Sequence, residues 1–167
     1  MTKKREYRTN GAIGALLDEY ENALNALYST IDGLSEQQLT AVVDSETEDE
    51  DCRSIQSVLT HVVQSGFTYG IEIRKWLGED IEYRDKVILN SVEKYQSALA
   101  EMFTFMETLF KEHPDIKLNE FAAERRIKVR WGQSFDVEQI LQHAIVHVLR
   151  HRRQIEIFKR ENNPQIA

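Results

Sequence analysis

Two histidines one helical turn apart, His147 and His151, stand in the run Leu141-Gln-His-Ala-Ile-Val-His-Val-Leu-Arg-His-Arg-Arg-Gln-Ile155. Residues at i and i+4 lie one above the other on a helix face, so two imidazoles so placed can grip one divalent ion. His61 offers a third imidazole from a separate predicted helix. Three histidines and a vacant position are the usual makings of a catalytic metal site. Water held there becomes acidic, with a pKa that can fall to about 7, and a thiol held there is deprotonated in the same way. Zinc is the first expectation because imidazole suits it, with nickel, iron, cobalt and manganese as alternatives.

A lone histidine on an apolar helix face is more often a hydrogen-bonded core residue than a ligand, and His61 alone would be read so. Its surroundings add to the case. Ser57, Ser65 and Thr68 stand one or two turns away and Gly66 is close by, so a void is expected beside the imidazole. His147 and His151 together are a stronger signal, because two imidazoles buried side by side are unfavourable unless something satisfies their nitrogens. His143 extends the row by a turn. It is too far along to join the same coordination sphere and is expected behind the ligands or in a pocket wall, where it could relay a proton. Glu72 lies on the His61 face but roughly 16 Å along the axis, too far to act as a general base. His113, beside Pro114, reads as a surface residue. Cys52 precedes a helix start, which favours a thiolate, but Asp49, Glu50 and Asp51 oppose it, so it reads as incidental.

Four amphipathic helices must position these groups. Ile13, Leu16, Leu17, Tyr20, Leu24, Leu27 and Ile31 mark the first, from about Asn10 to Asp32, with Gly33 as its cap. The second runs from the N-cap Ser54 to Leu77, ahead of Gly78, with Ile55, Val58, Leu59, Val62, Tyr69 and Ile73 on its stripe. Asn90 and Glu93 read as a capping box opening the third, whose face carries Val92, Tyr95, Leu99, Met102, Met106 and Leu109 before Pro114 ends it. Asp136 and Gln139 read as a second capping box, opening the last. There Val137, Leu141, Ala144, Val148, His151, Ile155 and Phe158 recur every three or four residues, which puts His151 in a core slot with His147 flanking it. The pattern predicts an all-α, single-domain four-helix bundle over residues 1–167, with long connections of about twenty, twelve and twenty-two residues. Residues 125–131 alternate and read as a short strand or extended loop. The acidic run Asp44–Asp51 reads as a solvated mobile loop.

The heights of His61 and the His147–His151 pair along their helices differ by ~4–5 Å if those helices are antiparallel and by ~9 Å if they are parallel. The antiparallel choice is favoured and implies up-down-down-up order.

The composition closes off other classes. A net charge of −7 argues against a nucleic-acid partner. No run approaches the roughly 20 apolar residues of a membrane span, and no apolar segment follows the basic start that could serve as a signal peptide. A single cysteine makes a reducing cytoplasm the expected compartment. The basic cluster Arg150, Arg152, Arg153, Lys159 and Arg160 reads mainly as salt-bridging surface, with an anionic substrate or partner as the alternative. Phe103, Phe105 and Phe110 widen the apolar face of the third helix beyond one core stripe, which gives slender support for a homodimer.

A histidine in the second helix followed by His-x-x-x-His-Arg-x-Gln-Ile in the last resembles the DinB/YfiT-like superfamily of bacterial metal-binding four-helix bundles. Gly33-Leu34-Ser35-Glu36 and Trp131-Gly132 add to the likeness, which spans nearly the whole chain. The resemblance implies the same helix order, a divalent metal on His61, His147 and His151, and Arg152 and Gln154 as neighbours of the last ligand. It also implies pairing of two copies and a metal-dependent transferase that activates a low-molecular-weight thiol. The alternatives are a metal-dependent hydrolase and a structural or sensory metal-binding module. Arg150 and Arg153 depart from the family pattern, which often has histidine and glycine there, so no particular substrate carries over.

Overall fold

The computed structural model describes residues 6–161; most of the basic N-terminal run and the final six residues lie outside the described residues, as do both ends of the expected 1–167 domain. The described chain is all-α in character, with 64% helix and 4% strand. Four long helices carry it: α1 (Gly11–Ile31), α3 (Ile55–Trp76), α4 (Val92–Glu112) and α5 (Val137–Glu161). A short helix, α2 (Glu36–Thr40), and a two-stranded antiparallel hairpin, β1 (Ile127–Lys128) and β2 (Ser134–Phe135), interrupt the connections. α1 and α3 each pack against both α4 and α5. No helix among the described residues is long and apolar enough to cross a membrane.

Local chemistry explains where the helices begin and end. The Ser54 side chain accepts the backbone N–H of Ser57 at 3.0 Å, while the Ser57 hydroxyl accepts the Ser54 N–H at 3.0 Å. This capping box fixes the start of α3 two turns before His61. The Asp136–Gln139 box forms as expected: Gln139 N–H donates to Asp136 Oδ1 at 2.8 Å, and Asp136 N–H donates to Gln139 Oε1 at 3.0 Å. The box expected at Asn90 does not form. Ser91 is the cap instead, accepting the Lys94 N–H, and Asn90 takes the Lys94 ammonium. α3 stops where Gly78, at φ 92°, lets the Gly78 and Glu79 N–H groups turn back onto the carbonyls of Lys75 and Arg74. The alternating segment 125–131 does become strand in part, as β1. Its hairpin closes through Gly132, also at φ 92°.

The buried stripes match the apolar periodicity, including Val137, Leu141, Ala144, Val148, His151, Ile155 and Phe158 on α5. Gly66 plays a different part from the one expected. Five positions past His61 its Cα is rotated about 140° from the imidazole, because each residue turns the helix by about 100°. It faces α4, where an added Cβ would collide with the Met102 side chain. The next small residue, Gly70, sits under the Phe105 ring. The extra phenylalanines of α4 are thus absorbed within the chain. Phe105 packs on Gly70 and Phe67, Phe103 meets Tyr20 edge-on at 5.6 Å, and Phe110 is buried. Their width no longer speaks for a second copy.

The acidic run is also folded rather than loose. Asp44 and Asp49 accept backbone N–H groups of their own loop, and a bridge between Val42 and Ser54 ties the loop's two ends together. Because no space is left where α3 meets α4, Gly66→Val is expected to lower stability by about 1–3 kcal/mol in a denaturant titration, the usual cost of overpacking.

Candidate metal centre

α3 presents His61 toward α5, and α5 presents His147 and His151 back toward it. One ring nitrogen from each falls within 4.8 Å of the others. The closest approach is His61 Nε2 to His147 Nε2, at 2.9 Å. Ring centroids lie 4.8 Å apart for His61–His147, 5.0 Å for His61–His151 and 4.4 Å for His147–His151. His151 is buried at 4% exposure, in the core slot its spacing predicts, while the other two are half-buried.

The outward-facing nitrogens show why this is more than a crowd of rings. His61 Nδ1 lies 3.1 Å from Asp51 Oδ2, and His151 Nδ1 lies 2.9 Å from Gln154 Oε1. A carboxylate and an amide oxygen only accept, so each Nδ1 carries its proton outward and each Nε2 keeps its lone pair toward the cluster. Metal-ligating histidines are oriented by this kind of outer acceptor. Two nitrogens on one tetrahedral zinc ion stand about 3.3 Å apart. That lies between the 2.9 Å contact and the 4.8 Å that bounds the set. The His61/His147/His151 group could therefore hold a metal ion.

Burial favours the neutral form of His147 and His151. It drives the His147 pKa down to about 2, helped by repulsion from His151 and His61. Burial also lowers His151, against the opposing hydrogen bond to Gln154, and lowers His143.

Two groups here escaped the sequence reading. Asp51 belongs to the acidic run taken for a solvated loop, yet its carboxylate joins His61 to Lys86 and lines the pocket above the histidines. Its closeness to the N-cap Ser54 was the available signal, since that cap brings residue 51 near the first turns of α3. Cys52 also lies nearer the centre than expected. Its Sγ is 4.0 Å from Gln154 Oε1 and 3.4 Å from Asp49 Oδ2, and burial pushes the thiol pKa up, so it stays protonated.

The remaining candidates fall outside the cluster. His143 stands in a wall of rings, 5.3 Å from Tyr69, 5.8 Å from Phe135 and 6.2 Å from Trp131, and stacks on His147 at 6.3 Å. Glu72 is spent elsewhere: buried, it accepts the Tyr83 hydroxyl at 3.0 Å and the Arg130 N–H at 2.9 Å. His113 pairs with Glu79 at the C-terminal ends of α3 and α4. A pocket of about 540 Å³ opens over His61 and His147, bounded by Gln64, Ser65 and Thr68 of α3, by Tyr69 and His143, and by Arg130, Trp131 and Gln133 of the hairpin. Compared with known protein families and curated proteins, the chain matches no family model and no curated sequence.

The lowered histidine pKa values fix a pH dependence. A base whose folded pKa lies below its unfolded value binds fewer protons when folded, so its stability contribution is present above the unfolded pKa and lost as pH falls. For His147 the window runs downward from 6.5 toward 2. The melting temperature of the metal-free protein is expected to drop between about pH 7.5 and about pH 5, with a shallower drop in His147→Leu. Removing an outer acceptor tests the orientation argument. Asp51→Ala and Gln154→Leu should each weaken metal affinity by about 10–100-fold in a chelator competition, with the helical circular dichroism unchanged.

Proposed function

We propose that this chain is a DinB/YfiT-like bundle that uses a divalent metal on His61, His147 and His151 to activate a low-molecular-weight thiol for transfer to an electrophile. The observation that carries the proposal is the outward hydrogen bonding of His61 to Asp51 and of His151 to Gln154, which aims their Nε2 atoms at the same point as His147. Gln154 is among the residues through which the sequence resembles that family.

The up-down-down-up helix order of the family is part of this reading, and cross-helix contacts support it. Arg8, just before α1, pairs with Glu107 late in α4, while Lys159 late in α5 donates to the carbonyl of Thr30 late in α1. Thr60 meets Tyr95 early in α3 and α4, and Arg74 meets Glu112 late in both. Early in α3, His61 meets His147 and His151, while further along Tyr69 meets the earlier His143.

A divalent ion, when bound, supplies the Lewis acidity that makes a thiol acidic enough to attack as an anion near neutral pH. The chain's own residues do the rest. Three neutral imidazoles bring no counter-charge, so the ion's full charge acts on the substrate. The hairpin and α3 shape the pocket that orients the second reactant beside it. His143, neutral and in the pocket wall, is placed to take up a proton. Pairing of two copies rests on the family resemblance alone.

Protein purified without added metal should carry about one divalent ion per chain by elemental analysis. Alanine at His61, His147 or His151 should weaken binding by at least about 100-fold, while His143→Ala and His113→Ala retain the ion. Loaded protein, chelator-treated protein and His151→Ala are then compared across several thiols and electrophiles. Thiol-dependent turnover confined to the loaded parent is the expected result. Hydrolysis without thiol would replace the transferase by a hydrolase, and full metal affinity in His61→Ala would reject the site.

A further inference from the structure

The pocket over the histidines has two unlike sides, and the difference bears on what it holds. One side is aromatic. Trp131 is 39% exposed, though three rings pack around it: Tyr69 at 5.8 Å, and Phe135 and His143 at 6.2 Å each. The Trp131 and His143 planes differ by only 30°, and both rings line the pocket. The hairpin holds the indole in place, with Nε1–H donating to Gln133 Oε1 at 3.1 Å. A large ring braced on several sides and still partly open to solvent is a ready platform for another π-system. The α3 side is polar, formed by Gln64, Ser65 and Thr68.

Charge separates the possible ligands further. Arg130 lines the same pocket, with its backbone N–H anchored by Glu72 and its guanidinium 4.4 Å from the Tyr83 ring centroid. Arg130 is the one arginine lining this pocket, and among the described residues it has no carboxylate partner. The one pocket carboxylate, Asp51, is already engaged by His61 and Lys86. A planar guanidinium without a carboxylate partner suits the two-pronged grip of a carboxylate or similar oxyanion. The volume of about 540 Å³ suits a one- or two-ring molecule.

We propose that this pocket binds a flat, π-conjugated molecule bearing an anionic group, its face on Trp131 and His143 and its anion on Arg130. The proposal deepens the transferase reading and rests on it for the ligand's role as reactant, though binding itself is independent of turnover. The probes are 2-naphthoate, its saturated analogue decalin-2-carboxylate, and uncharged 2-naphthalenemethanol. Each is titrated calorimetrically into zinc-loaded and metal-free protein.

The flat acid should bind about three- to tenfold tighter than the saturated acid, the gain expected of ring stacking. W131L should erase that preference. R130Q should weaken naphthoate about tenfold and leave the alcohol unchanged. Equal binding of the flat and saturated acids to the parent protein would overturn the proposal, and so would naphthoate binding that ignores R130Q. Neither result depends on how W131L folds. Naphthoate recognition through Trp131 and Arg130 without thiol turnover would sink only the transferase. Thiol turnover with naphthoate binding indifferent to both residues would sink only this inference.

Discussion

Three imidazoles brought together from two helices form the constraint on which the rest of the structure turns. Each neutral ring has one nitrogen that donates and one that accepts, and a packed interior tolerates neither unpaired. One acceptor comes from outside the helix pair and the other from α5 itself. Asp51 reaches in from the connection before α3, and Gln154 reaches back from the next turn of α5. Those two acceptors set the tautomers of His61 and His151, so that both Nε2 lone pairs face the cluster in which His147 stands. The position of the connection before α3, the height of His61 and the chemical character of the centre are thus one linked choice.

The two sides of α3 divide the work. Toward α4 it carries Gly66 and Gly70, which let Met102 and Phe105 press against its backbone. That close approach leaves α3 little freedom to shift. Toward α5 it carries His61, Gln64, Ser65 and Thr68, which face an open pocket. A rigid back thus supports a polar front, as a site needs when reacting groups must be held in place before substrate arrives.

Most of the fold was legible because it is written in helical periodicity. The stripes of α1, α3, α4 and α5 emerge as buried faces, and the spacing of His147 and His151 leads directly to their convergence. What was hidden depended on contacts distant in sequence or on direction around a helix. Asp51 looked like one acid among six because charge density carries no information about which carboxylate folds inward. Gly66 looked like space beside His61 because closeness in sequence was taken for closeness in space, when the helix had turned it toward Met102. The phenylalanines of α4 looked surplus because the small residues opposite them, which make room, lie on another helix. α2 was missed because five residues, Glu36–Thr40, are too few to show a period, although the Ser35–Gln38 capping box was present in the sequence.

The buried carboxylate of Glu72 receives the Tyr83 hydroxyl from the connection between α3 and α4, and the Arg130 N–H from the hairpin before α5. Two segments separated by the whole of α4 therefore share a single anchor, and one of them, the hairpin, lines the cleft over the histidines. An insertion, deletion or displacement in one segment is transmitted to the other through that one side chain. The hairpin wall of the cleft is thus tied to a segment that does not itself line it. Changes in the connection after α3 can therefore reshape the cleft from a distance, and descendants of such a chain could alter what enters it without touching a residue of its wall.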